Sequence, residues 1–591
     1  MERSEIQEQY QWNLADIFAD DEAWEAAFEE VANLPDFGAW RGKLHEKERV
    51  LEFLQRREAY EIKLMRVYLY AFLRNAQDQS NTKYISYLGK VMSLFTKVSS
   101  ALAFVVPELT SLPDETLLAF SADKALADYD RTFLRLLEEK KYILSEKEER
   151  ILALGGEPLQ IAQDAFDMLN NVDLDLPDIE YEGKKVRLSH GTYGAILHGK
   201  DRAKREEAFR LYYAAFRKII NTIAVTYAGN VKKDIFYKTV RGYESCLSMA
   251  LFNEEVDRKV YDTLIEAVHS ALPIMHRYID VRKKALGYEQ LHMYDMHVSL
   301  VDDADISLPY EEAFALVQKG LSPLGEEYVA LLQKGNEERW LDVYETTGKT
   351  SGAYSIGIYG NHPYVLLNYQ QTLSDIFTIA HEMGHAIHSH FSNATQPYDK
   401  SNYKIFVAEV ASTVNEMLLL RYLLANTEDK KMRKYLLNYF MDMIRATLFR
   451  QTQFAEFEAE AHAMAERGEP LNKDNLSKLY YQLNRNYYGE SATHDEDIAI
   501  EWARIPHFYN SFYVYKYATG ITAAIAISDA ILKEGAPAVE RYFEFLRGGC
   551  SKDPVTLLKG AGADLTKKET FDAAMEQFAA ALEEFQTLSQ A

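Results

Sequence analysis

The chain has 591 residues, 47% apolar and 26% charged, and its 66 basic and 90 acidic residues give a formal charge of −24. That content can bury a large core, which excludes wholesale disorder, and so acidic a surface disfavours nucleic acid and membrane partners. Two cysteines, Cys246 and Cys550, exclude a disulfide framework or a Cys-rich metal site and suit a reducing, cytoplasmic compartment.

The polar start, MERSEIQEQYQWNLADIF, shows no apolar signal segment. Apolar runs such as ALAFVV at 101–106 are shorter than the ~18 residues of a membrane span. Breakers are sparse, and apolar residues recur at helical spacing from Val50 to Asp78 and from Tyr84 to Val106. Residues 172–190 alternate around Glu182-Gly183, which predicts a hairpin. A soft boundary is expected near 196–204, dividing an N-terminal helical lobe (1–200) from a catalytic region (201–591). Helical spacing resumes from Lys204 to Tyr227. Residues 340–369 are rich in Tyr, Val, Ile and Gly, with turn signals at Thr347-Gly348 and Gly360-Asn361. They predict a small sheet ending in a strand Tyr364–Tyr369, which could pair with the main chain of a bound peptide or be a purely structural element. The glycine-rich GKTSGAYS (348–355) could approach such a peptide closely. Further helices are expected over Lys430 to Arg467, Pro537 to Arg547 and the last 25 residues. The fold class is predominantly all-α, with a small β-sheet next to the helix described below.

That helix begins near Ser374 and carries His381-Glu382-Met-Gly-His385. Two histidines four residues apart project from one helix face, as two ligands of one tetrahedral Zn²⁺ require. Glu382 stands about 60° round the helix from His385 and can lean towards a metal-bound water as general base. A third ligand is needed, and the apolar segment Tyr403–Arg421 offers one. Glu409, Ser412, Thr413 and Glu416 fall at i, i+3, i+4 and i+7, a polar stripe on a helix that must be mostly buried. Buried carboxylates need a cation or a hydrogen-bond partner. Glu409 is therefore read as the third zinc ligand, and Glu416 as the acceptor for a ligand imidazole N–H; a carboxylate paired to a core Arg or Tyr is the alternative for Glu416. The metzincin pattern needs Gly at 388 and His at 391, where this chain has His388 and Phe391. His362, His388 and His390 are read as structural or solvated.

AHEMGHAIHS (380–389), FVAEVASTVNEMLL (406–419) and IPHFYNSFYVYKYATG (505–520) together resemble the oligoendopeptidase F group of the thimet-oligopeptidase-like (M3-type) zinc peptidases. The resemblance covers essentially the whole chain. It implies a clamp-like multi-helical peptidase with zinc in a deep internal channel, acting as an endopeptidase on short unstructured peptides. It assigns zinc to His381, His385 and Glu409, the catalytic base to Glu382, and a site role to His507. Transition-state chemistry asks for neutral hydrogen-bond donors to the oxyanion. Tyr513 is nominated first and Tyr517 second, since four residues put them on one helix face; Tyr509 and Tyr515 are read as core. Two alternatives stand beside this reading. A helical zinc dipeptidyl carboxypeptidase would need a charged anchor, for which Arg504 or Lys516 could serve; a non-catalytic peptide-binding scaffold is opposed by the intact motif. Oligomeric state is not legible.

Overall fold

The computed structural model describes residues 1–301 and 307–590, and helix dominates them. The apolar 3–4 spacing becomes helix at Lys47–Gln77, Thr82–Leu102, Lys430–Met443, Ala536–Leu546 and Lys568–Gln590. Six further helices are numbered in chain order: α1 (Arg202–Arg241), α2 (Glu326–Glu337), α3 (Leu373–Thr395), α4 (Ile405–Asn426), α5 (Arg450–Glu466) and α6 (Tyr515–Glu534). α1 outruns the apolar pattern, accommodating Gly229 within it, and ends at Gly242, whose φ of 79° is the left-handed conformation that glycine tolerates.

The predicted hairpin is formed by β1 (Asp178–Tyr181) and β2 (Lys184–Arg187). Glu182 and Gly183 have φ of 51° and 72°, the two positive values that a two-residue type I′ turn requires. β3 (Leu291–His292) pairs in parallel with a later two-residue strand, Ala492–Thr493. The small sheet consists of β4 (Leu341–Asp342), β5 (Tyr354–Ile356) and β6 (Tyr364–Leu366), in the order β4-β6-β5. β6 is its central strand: Val365 faces Leu341 on the parallel side and Ser355 on the antiparallel side. Both hydrogen-bonding edges of β6 are taken, so the strand from Tyr364 cannot pair with a peptide as the sequence suggested. Lys349, in the glycine-rich stretch, is likewise buried: its ammonium donates to the carbonyls of Asp342, Tyr344 and Leu367 and pairs with the Asp342 carboxylate at 2.8 Å.

The chain divides into two compact units, each built from three segments. The first contains Met1–Glu146, Ile306–Tyr422 and Ile527–Ala563; the second contains Lys147–Asp305, Leu423–Ala526 and Asp564–Ala591. This division differs from the boundary expected near residue 200, and the reason lies in long-range packing. Ile358, Tyr364 and Leu366 of the sheet region belong to the same core as the N-terminal helices. Trp12 donates its indole N–H to the Val365 carbonyl at 2.8 Å and meets the Tyr364 ring edge-on at 6.2 Å. In the second unit, Arg258–Ala285 packs against Lys568–Gln590 and Lys473–Tyr488.

Residues 82–110, with a mean hydropathy of 1.3 in their most apolar window, are long and apolar enough to cross a membrane, contrary to the reading of short apolar runs. Small and hydroxyl residues spread that apolarity thinly. Tyr87, Val91, Leu94 and Val98 form one buried stripe, and the stretch is interrupted between Leu102 and Val105. It packs on Lys47–Gln77 as an amphipathic helix of the first unit.

Candidate metal centre

α3 starts where Thr372 and Asp375 form a capping box, the Thr372 hydroxyl accepting from the Asp375 N–H and the Asp375 carboxylate from the Thr372 N–H. Two turns on, His381 and His385 share a face, with their Nε2 atoms 3.2 Å apart. Glu409 on α4 brings Oε2 to 3.5 Å from the His381 Nε2 and 3.7 Å from the His385 Nε2. Ligand atoms at the corners of a tetrahedron, each ~2.0–2.2 Å from zinc, lie about 3.3–3.6 Å apart. Among the described residues these three form a group able to hold a metal ion, and their spacing and His₂Glu chemistry fit zinc.

The surrounding contacts fix the ring orientations. His381 donates its Nδ1–H to Glu416 Oε1 at 2.5 Å, and His385 bonds to the backbone of Ala408. Both Nε2 atoms are thereby left to face the gap between the ligands. Burial works against the His381 charge, but the hydrogen bond to Glu416 and its negative charge outweigh this and raise the pKa to about 9. Burial, reinforced by His381, lowers that of His385 to about 3. Glu382 is buried, and desolvation raises its pKa to about 7, the range of a carboxyl that exchanges a proton near neutrality. The other nearby histidines belong to the packing: His388 is buried flat against Tyr403 at 3.8 Å, and His362 stacks on Trp340 at 5.2 Å.

The two ligand helices also meet backbone to backbone, a feature that sequence reasoning missed. A Cβ on Gly384 would lie 2.6 Å from the Ser412 Cα and 2.8 Å from the Ala411 carbonyl oxygen. The glycine inside the motif was the available signal. Gly384→Ala should force the helices apart, costing about 1–3 kcal/mol and weakening metal binding; thermal melts with and without metal measure both. Unchanged stability and affinity would show that the close approach does not matter.

The C-terminal motif lies in the second unit. Tyr509 and Tyr515 are buried, whereas His507 is exposed and Tyr513 and Tyr517 are half-buried. The rings of these last three converge: His507 lies 6.3 Å from Tyr513 and 6.0 Å from Tyr517, and the two tyrosines are 5.4 Å apart. Partial burial keeps the His507 imidazole below its ordinary pKa, which favours its neutral form. The turn before α6 places Phe512 at φ 59°, and the buried Glu458 carboxylate on α5 accepts the Phe512 N–H at 3.0 Å. Thr226 and Asn230 on α1 hold the same loop through the Tyr509 hydroxyl at 2.7 Å and the Ser511 hydroxyl at 3.1 Å. The two cations considered as terminus anchors are engaged elsewhere: Arg504 donates to Glu501 at 2.8 Å and Tyr213 at 3.2 Å, and Lys516 to Glu254 at 2.5 Å.

Sequence profiles place the chain among known proteins. That of Peptidase family M3 matches residues 195–577, and that of Oligopeptidase F matches residues 108–175. Oligopeptidase PepF of Bacillus subtilis (strain 168) is 44% identical over 99% of this chain and 88% of that relative. An oligoendopeptidase F homolog of Lactococcus lactis subsp. lactis (strain IL1403) is 37% identical over 99% and 98%. The crystal structure of oligoendopeptidase-F from Enterococcus faecium superposes with a TM-score of 0.76 at 35% identity, covering 96% of this chain and 98% of that one.

Proposed function

The chain belongs to peptidase family M3, in its oligoendopeptidase F group, and from that membership we propose that His381, His385 and Glu409 hold one zinc ion and that Glu382 is the catalytic base. The enzyme is a metallopeptidase that cleaves internal bonds of peptides; short, unstructured peptides in the cytoplasm are the proposed substrates. The observation that carries the reading is the three-atom cradle, with separations of 3.2, 3.5 and 3.7 Å, beside a buried carboxyl.

Zinc bound there supplies Lewis-acid polarisation of the scissile carbonyl and lowers the pKa of the attacking water. Glu382 takes the proton from the water as its oxygen bonds to the carbonyl carbon, and passes it to the amine nitrogen as the C–N bond breaks. Glu416 accepts from His381 and holds that imidazole in the tautomer whose Nε2 carries the lone pair. For the carbonyl oxygen as it becomes negative, His507 and Tyr513, with Tyr517 second, are the neutral donors that the family motif offers; none carries a competing negative charge.

Metal analysis tests the assignment: the purified, dialysed protein should carry one zinc per chain by mass spectrometry, and failure to retain or take up zinc contradicts it. Metal binding should also depend on pH. In the metal-free protein His381 keeps a proton between its ordinary 6.5 and about 9, and a metal must displace it. That charge pair stabilises the metal-free fold below pH 6.5, and its contribution is lost as pH rises through about 9. Zinc affinity, measured by chelator competition, should therefore climb about tenfold per pH unit through this window. In Glu416→Gln the climb should end near pH 6.5; a flat profile in the native protein contradicts the coupling.

A further inference from the structure

One polar side chain on α4 stands outside the stripe of Glu409, Ser412, Thr413 and Glu416, and the proposed mechanism does not use it. Asn415 is fully buried among apolar residues of that helix. Its Nδ2 donates to the carbonyl of Ala380 at 2.9 Å, and its Oδ1 accepts from the Tyr328 hydroxyl of α2 at 2.8 Å. Tyr328 is itself fully buried. A core amide with both ends satisfied is costly to assemble and specific in geometry, since either end left without its partner is a buried polar group with its hydrogen bond unmade.

The placement of these bonds connects them to the metal. Ala380 immediately precedes His381, and Asn415 immediately precedes Glu416. The contacts between the two helices then form an antiparallel ladder: Ala380 with Asn415, His381 with Glu416, Gly384 with Ser412, and His385 with Glu409. Apolar packing and a glycine contact let one helix slide along the other; a directional bond to a single carbonyl does not. A slide of one residue is about 1.5 Å, enough to spoil ligand distances that must hold to about 0.2 Å.

We infer that Asn415, held by Tyr328, is a positioning residue that locks the axial register of the two ligand helices, so that the cradle of His381, His385 and Glu409 is already formed before metal enters. The inference rests on the metal-site reading above. Pre-forming the cradle removes an ordering cost from metal binding, so the lock acts on metal affinity rather than on the chemical step.

The test is zinc affinity of the full-length metal-free protein by chelator competition, with folding followed by circular dichroism and thermal melts. Asn415→Leu should weaken zinc binding by about 10–100-fold, the usual effect of losing a ligand's supporting hydrogen bond, with kcat near native at saturating zinc. Tyr328→Phe, which keeps the ring and removes the hydroxyl, should weaken binding by a smaller factor in the same direction. Leu94→Ala, a core change in the N-terminal helices, should lower the melting temperature and leave zinc affinity unchanged; this separates positioning from general stability. Native affinity in folded Asn415→Leu overturns the inference, and if that variant does not fold, native affinity in Tyr328→Phe does so. Glu409→Ala distinguishes the two levels of the argument: if it keeps zinc, the metal-site reading itself has failed, whereas its losing zinc while Asn415→Leu binds normally removes only the lock.

Discussion

Glu382→Gln should leave zinc bound and lower kcat by about 10²–10⁴-fold, the contribution of a positioned general base. The amide has nearly the same shape as the carboxyl, and the Glu382 side chain is not among the three grouped ligand atoms, so neither the packing nor the cradle changes. What is lost is the capacity to accept a proton. The buried carboxyl sits at about 7 because desolvation penalises its charge, and a bound cation would favour the carboxylate. Metal content measured on the same preparation decides the interpretation. Loss of turnover together with loss of zinc would make the residue structural, and turnover at the native rate with zinc bound would refute its role as base.

Glu409→Ala should lower zinc affinity by about 10³-fold or more, since it removes one of three protein ligands and the only anionic one. The two imidazoles would remain, because His381 keeps Glu416 and His385 keeps its bond to the backbone of Ala408. A fold retained by circular dichroism with little zinc after dialysis is the expected outcome. Zinc retained at one equivalent would move the third ligand elsewhere. Glu416→Gln should fall between this variant and the native chain, weakening zinc by about 10–100-fold.

Much of the centre was legible because helical periodicity converts sequence spacing into direction. His381 and His385 share a face through their four-residue spacing alone, and the stripe from Glu409 to Glu416 stood out as polar positions on an otherwise apolar helix. The hairpin was legible for a local reason, a two-residue turn at Glu182-Gly183 whose conformation few other pairs adopt as easily. Long-range pairing was not legible. Nothing in the residues Tyr364–Leu366 says that neighbours will occupy both edges of the strand, or that Trp12 will donate to its middle residue. The same blindness placed a boundary near 200, when the first 146 residues share a core with the sheet that precedes α3. The roles of Gly384 and Asn415 escaped notice because each depends on what the opposing helix presents at that height. A glycine in a motif and an asparagine in an apolar run carry no such information by themselves.

The convergence of His507, Tyr513 and Tyr517 illustrates an intermediate case. Tyr513 precedes α6 and only Tyr517 lies on it, so the two do not share a helix face as the four-residue spacing suggested; their rings and that of His507 meet at the turn around Phe512, whose left-handed backbone no pattern announces.

The central claim is that one metal ion, held by His381, His385 and Glu409, drives cleavage of internal peptide bonds. Its most direct test is mass-spectrometric mapping of products from an internally quenched peptide blocked at both ends, incubated with the enzyme, with the enzyme plus o-phenanthroline, and with the inhibited enzyme after zinc is restored. Internal cuts that disappear with chelator and return with zinc are the predicted result. An uncut blocked peptide whose free-ended counterpart is trimmed from its terminus, or internal cutting that survives complete removal of metal, would contradict the account.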